Sequence, residues 1–162
     1  MISDKMTQEI NAQINREFFS AYLYLAMSAD AAHKGFKGAA HWFAVQFKEE
    51  QGHAAKFIKY LEDQNSRVEL AAIEAPAKTW KDLLTMFQAT LAHEKTVTAS
   101  INKLAALAAA EQDFATQNAL QWFVTEQVEE EAADAEVLWM LEMAASSKGA
   151  LFMADKKLGS RE

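Results

Sequence analysis

The sequence predicts an all-α fold, a bundle of four long helices with one long crossover and a short fifth helix at the end. Three observations carry this. Glycine and proline are scarce, five and one residues in a chain of 162, while Ala, Leu, Glu, Lys and Gln, all good helix formers, dominate. No stretch alternates β-branched and polar residues as a half-buried strand does. Apolar residues recur instead at helical spacing, as in Ile10, Ile14, Phe18, Ala21 and Leu25.

The first helix runs from about Asp4 to His33, with Ser3 or Asp4 as its N-cap. Two glycines in "HKGFKG" (33–38) interrupt it, and a second helix continues to about Asn65. The third spans about Thr79 to Ala110 and the fourth about Gln112 to Ala145. "SSKGA" (146–150) ends the fourth, leaving a short terminal helix over about 147–158. The expected organisation is a single domain over 1–162, with the bundle at about 4–145.

Connection lengths set the topology. The first and last links are a few residues, so each joins an antiparallel helical hairpin. The middle link, "SRVELAAIEAPAKTW" (66–80), holds the only proline, Pro76. At ~3.3 Å per residue it reaches roughly 45–50 Å, and a helix of about 28 residues is about 42 Å long. The link therefore spans the bundle and leaves the second and third helices parallel. A short-looped up-down bundle with a loose linker is the less economical arrangement.

Composition excludes several function classes. Half the residues are apolar, yet no run approaches the ~18 needed to cross a bilayer. "MISDKMTQEI" has no basic region followed by an apolar stretch, so a cytoplasmic protein is expected. With no cysteine, disulfides, iron–sulfur clusters and thiolate zinc sites are out. A net charge of −7 opposes nucleic acid as a main partner and suits a protein that attracts cations.

Residues equally far from a hairpin turn lie side by side. Counted from a first turn near 34–35, Glu17 and Glu50 face each other; counted from a second near 110–111, Glu94 and Gln127 do. Both pairs lie roughly 25 Å from their turns at 1.5 Å per residue. Glu50 and His53 share one face at i, i+3, and Gln127 and Glu130 repeat the spacing. Phe43, Phe47, Phe57, Phe123, Ala133 and Val137 lie near the same stripes, so these acids face inward. Inward carboxylates are costly unless paired or bound to a cation, and no Lys or Arg is expected at their level and face.

A solvated stripe is the simpler reading of any one glutamate, above all Glu129 or Glu131. The set Glu17, Glu50, His53, Glu94, Gln127 and Glu130 at one depth points instead to a metal centre. Carboxylates with one imidazole and no sulfur favour iron or manganese over zinc. Glu50, between the two halves, is placed to bridge two metals, with His53 and Glu17 on one side and Glu94 with Gln127 or Glu130 on the other. Tyr24, seven residues after Glu17, and Trp122, near Gln127, are either supporting hydrogen-bonding or redox groups or half-buried core aromatics. Met140 and Met143 read as core, and His33, His41 and His93 as surface or interface residues.

With Glu17, "EEQGH" (49–53), Glu94 and "EQVEEE" (126–131) at these separations, the chain resembles the bacterial non-haem ferritins over essentially its whole length. The resemblance implies a ferritin-like bundle and a ferroxidase. Fe(II) enters a di-iron centre, is oxidised by dioxygen or hydrogen peroxide, and collects as ferric oxide-hydroxide inside a homo-oligomeric shell of 24 subunits. It carries the di-iron ligands onto Glu17, Glu50, His53, Glu94, Gln127 and Glu130, and a third iron site onto Glu49, Glu126, Glu129 and Glu130. It also implies no haem, because the haem-ligating methionine of bacterioferritins is missing from "QGH". The second Glu-x-x-His of related di-iron proteins is here Gln127-x-x-Glu130, which suits iron that moves on. Two other readings stand beside it: a carboxylate-bridged di-iron oxidase acting on a small substrate without mineral storage, and a helical scaffold with solvated acids.

Overall fold

The computed structural model describes residues 2–161. Its order is α1 (Asp4–His33), α2 (Lys37–Asp63), α3 (Leu83–Ala110), α4 (Phe114–Ala144) and α5 (Lys148–Leu158), with no strand among the described residues. Side-chain caps start four of the five. Ser3 accepts from the amide of Met6, Asp82 from Thr85, Asp113 from Thr116 and Ser147 from Ala150, each satisfying an amide that lacks a helical partner.

Three helices end in the same closure, with a left-handed residue just past the last turn: Gly35 (φ 87°), Asn65 (φ 53°) and Gln112 (φ 54°). At α1, the Gly35 amide donates to the Ala32 carbonyl at 3.0 Å and the Phe36 amide to that of Ala31 at 2.9 Å, which consumes two orphan carbonyls. The glycine adopts this conformation without a Cβ penalty; at Gln112 the same geometry costs about 1–2 kcal/mol.

The crossover follows α1 from end to end. The Thr7 hydroxyl meets Ser66, Asn11 bonds the backbone of Arg67 and Glu69, Asn15 donates to the Ala72 carbonyl, and Asp30 accepts from Thr79 and the Trp80 amide. The link therefore returns to the far end of the bundle, and α3 runs parallel to α2. These contacts also explain why α3 begins at Leu83 and not near Thr79. The Trp80 amide is committed to Asp30 at 3.0 Å, and Asp82 supplies the cap.

Two apolar clusters divide the interior. One holds Tyr24, Met27, Trp42, Phe43, Phe87, Leu141 and Leu158; the other holds Met6, Ile10, Phe57, Leu61, Ile101, Leu120 and Phe123. Between them, on all four helices, lies a buried polar layer: Gln13, Glu17, Ser20, Gln46, Glu50, His53, Thr90, Glu94, Gln127, Glu130 and Asp134. The inward stripe of α1 departs from expectation at its end, where Leu25 is 41% exposed and Tyr24 and Met27 face inward. On α4 Ala133 is exposed and Asp134 is buried in its place. Met140 packs partly buried against the core, but Met143 is 68% exposed.

α5 packs across the start of α2. Phe36 offers no side-chain cap there, and the Asp155 carboxylate substitutes by accepting from the amides of Gly38 (3.1 Å) and Ala39 (2.8 Å). The approach requires glycine, since a Cβ on Gly38 would fall 1.6 Å from the Asp155 carbonyl oxygen.

Candidate metal centre

The two hairpins bring their acids together at one level. Nδ1 of His53 lies 3.3 Å from Oε2 of Glu50 and 3.9 Å from Oε2 of Glu17. One ligand atom from each of the three falls within 4.8 Å of the others. All three side chains are buried, and Oε2 of Glu17 has no hydrogen-bond partner. Its other oxygen accepts from Gln13 at 2.7 Å. Such a set of oxygens and one imidazole nitrogen presents lone pairs to a common point and lacks positive charge, which a divalent cation supplies.

Electrostatics agree with the geometry. Burial, and then the charge of Glu50, pushes Glu17 well above the usual carboxylate range. Burial raises Glu50 likewise, followed by the charges of Glu94 and Glu130. Glu130 is pushed up to about 7, chiefly by burial and by Glu94. These acids crowd one another, and the Arg161 charge offsets only part of this at Glu130, so a bound metal would exchange for protons.

The second half lies across the bundle. The Tyr24 hydroxyl donates to Oε1 of Glu94, and the Gln127 amide donates to Oε2 of the same carboxylate at 3.0 Å. Glu130 accepts from Gln46 at 2.7 Å. Gln127 thus meets the centre as a donor to Glu94, and its own carbonyl oxygen is the atom left for a metal. Trp122 sets its ring edge-on to His53, 5.3 Å between centroids, under the Lys56 ammonium at 3.6 Å.

Among the residues carried over for a third site, Glu126 approaches. Its carboxylate lies 4.0 Å from Nε2 of His53, and Glu126, His53 and Glu130 form a second group with ligand atoms within 4.8 Å. Glu129 is exposed, and Glu49, whose charge acts on Glu130, is paired with Arg161 at 2.6 Å. Contrary to the expectation from sequence, a cation does reach this level. Arg161 returns from the end of the chain, lies over Trp42 (4.5 Å) and also donates to Gln46 at 2.5 Å. His93 too has a partner within the chain: its Nε2 lies 2.7 Å from the Ser20 hydroxyl, its ring packs against Phe19 and Tyr24, and burial lowers its pKa. Nε2 of His41 lies 2.8 Å from the Arg161 carbonyl. Gln13, Gln46 and Asp134 were not anticipated, although Asp134 stands at i+4 from Glu130 and Gln46 at i−4 from Glu50.

A four-helix bundle with one long crossover and an inward cluster of carboxylates and imidazole is the frame of the di-metal carboxylate proteins. The ferritin-like domain family matches residues 7–144. A probable bacterial non-heme ferritin-like protein of Haemophilus influenzae is 39% identical over 160 residues, covering 99% of this chain and 97% of its own. A bacterial non-heme ferritin of Campylobacter jejuni is 36% identical over 156 residues, covering 96% and 93%. Among solved structures, an open pore ferritin from the hyperthermophilic archaeon Archaeoglobus fulgidus superposes with a TM-score of 0.99 at 42% identity, covering both chains completely. The chain belongs to the ferritin family.

Proposed function

We propose that the protein is a cytoplasmic iron-storage and detoxification subunit that oxidises Fe(II) at an intrasubunit dinuclear centre and passes Fe(III) into an oligomeric shell. Glu17 and His53 hold one iron, Glu94 with Gln127 or Glu130 the other, and Glu50 bridges them. Each Fe(II) gives one electron to dioxygen or hydrogen peroxide. Hydrolysis of the ferric product releases protons and yields the oxide-hydroxide mineral. Glu126 and Glu130, with Glu49 and Glu129, serve a third iron on its way through. Tyr24 orients Glu94 by its hydroxyl, and a homo-oligomer of 24 copies encloses the mineral.

The observation that carries the reading is the convergence of Glu17, Glu50 and His53 within 4.8 Å, buried, with one glutamate oxygen unpartnered. Family membership supports it. Anaerobic Fe(II) titration followed by oxygen should give ferric absorbance and a soluble mineral. Glu50→Ala and His53→Ala should each slow the first phase by at least about tenfold, ~1.4 kcal/mol of barrier or binding. Wild-type rates in both variants would sink the assignment.

One observation favours the second reading, a di-iron oxidase acting on a small substrate. An apolar groove of about 330 Å³, lined by Ile10, Phe57, Leu120, Trp122 and Phe123, opens beside the aromatic rings that pack on His53. Native mass separates the two, since storage demands a large shell, and a monomer or dimer retaining two irons favours the oxidase.

A further inference from the structure

The di-iron reading leaves one histidine without a task. His93 precedes Glu94 on α3, and successive side chains on a helix diverge by about 100°. With Glu94 turned into the metal layer, His93 falls into the seam between α3 and α1. Its Nε2 lies 2.7 Å from the hydroxyl of Ser20, which is completely buried on α1. A serine hydroxyl has one hydrogen, and that of Ser20 goes to the Arg16 carbonyl at 3.1 Å. Nε2 is therefore the donor, and the facing helix fixes the angle of the imidazole.

The fixed ring backs Tyr24. It meets the Tyr24 ring edge-on, 6.0 Å between centroids, and Phe19 packs on it at 5.7 Å. Phe43 of α2 stacks along Tyr24 at 6.1 Å, so the phenol is held from α2 and α3 together. Its hydroxyl donates to Oε1 of Glu94, and Oε2 accepts from Gln127 at 3.0 Å. These two donors set the plane of the carboxylate, and with it the lone pairs left for a metal. His93 also lines a cleft of about 410 Å³ with Arg16, Phe19 and Thr96, so the imidazole stands between that cleft and Tyr24. A leucine would fill this wall, but it has no N–H with which the facing helix could hold it.

We propose that His93 is a positioning residue for the second iron: hydrogen-bonded to Ser20, it holds Tyr24 against Glu94, which ligates that ion. The inference rests on the dinuclear reading, in which Glu94 serves the second iron. Its reach is confined to that half of the centre. Among the described residues, Glu17, Glu50 and His53 take no hydrogen bond from His93, Ser20 or Tyr24.

Anaerobic titration of the full-length assembled protein with Co(II), read by its visible ligand-field bands, tests this without iron chemistry. Wild type should bind two ions per subunit in separable steps. His93→Phe keeps a ring and loses the N–H, and Ser20→Ala removes the acceptor from the other helix. Each should weaken the second ion about fivefold and leave the first unchanged. His93→Gln, which keeps an N–H for Ser20, should lie nearer wild type than His93→Phe. In a Tyr24→Phe background Ser20→Ala should add nothing, because residues that act through one another are not additive. A histidine that merely supports the fold would weaken both ions, or add to Tyr24→Phe, and either result overturns the inference. Wild-type binding in His93→Phe and Ser20→Ala, with the second ion lost in Glu94→Ala, overturns it and leaves the dinuclear reading standing. Two ions bound normally by Glu94→Ala overturn that reading and the inference with it.

Discussion

The Gln46 side chain joins the end of the chain to the metal layer: its amide donates to Oε2 of Glu130 at 2.7 Å and its carbonyl accepts from Arg161 at 2.5 Å. Arg161 spends its other nitrogen on Glu49 at 2.6 Å. A guanidinium on Glu49 competes with any cation that needs that carboxylate.

Arg161→Ala is therefore expected to tighten divalent-cation binding at Glu49. The pair is partly exposed, 23% and 39%, so it contributes about 0–1 kcal/mol, or up to roughly fivefold in affinity. Calorimetric titration of the metal-free protein with Zn(II), at low and high salt, measures it. Weaker binding at Glu49 in the variant would contradict the competition.

Tyr24→Phe should slow iron oxidation without unfolding the protein. The hydroxyl is buried and burial raises its pKa well above the ordinary value, so it stays a donor to Glu94 at any physiological pH. Its loss leaves Oε1 of Glu94 without that donor and frees the carboxylate to rotate. A hydrogen bond to a charged group contributes about 1.5–3 kcal/mol, so weaker binding of the second Fe(II) by about tenfold or more is expected. Stopped-flow oxidation with sub-stoichiometric and excess iron separates the first from the second equivalent. An unchanged second equivalent would show that Tyr24 does not position Glu94.

How much of this was legible in the sequence depends on the kind of signal. Helix bounds at α1 agree to the residue because Ser3 and Gly35 are local punctuation. The start of α3 was missed because Asp30, some fifty positions away, decides it by claiming the Trp80 amide. The polar layer was legible because equal distance from a turn fixes depth in a hairpin. Asp134 could have been found by extending Glu130 one more turn, but Ala133 and Val137 made that stripe look apolar. Arg161 could not, since no periodicity places a side chain that folds back from the end of the chain.

Gly38→Ala should release α5. The added methyl would collide with the Asp155 backbone oxygen at 1.6 Å, and backbone on both sides leaves no flexible neighbour to yield. α5 must move away, which breaks the two hydrogen bonds that the Gly38 and Ala39 amides donate to the Asp155 carboxylate and draws Arg161 off Gln46 and Glu49. A loss of about 2–4 kcal/mol is expected, from two hydrogen bonds to a charged group and the exposure of Leu158 and Ala154. Hydrogen exchange should show faster exchange in 148–158 and at the start of α2, with the centres of α1 and α4 unchanged. Uniform protection would mean the helix tolerates the methyl.

The metal-free protein should lose stability as pH rises through the neutral range. Burial, with Glu94 next, pushes Glu130 from an ordinary 4.5 to about 7 and Asp134 from 3.8 to about 8. Between those values the folded state keeps protons that the unfolded chain has released, so folding is favoured by acid. The contribution is complete below about pH 4, falls as pH climbs to about 8, and is level above that. Each tenfold gain in proton affinity on folding is worth ~1.4 kcal/mol, so the two acids together cost several kcal/mol by pH 8. Glu17 and Glu50 act in the same direction. Asp82, held low by the hydrogen bonds from Thr85, and Asp30 exert an opposite effect only at more acidic pH. His93, its pKa lowered by burial, opposes the decline below about pH 6.5 and so shallows its acid half. Melting temperatures in chelator from about pH 5 to about pH 8.5 should therefore decline, less steeply in Asp134→Asn. Saturating Mn(II) should flatten the decline, because the cation replaces the protons it displaces. A chelated wild-type protein that becomes more stable from pH 5 to pH 8 would mean that these carboxylates are not crowded in the dry layer described above.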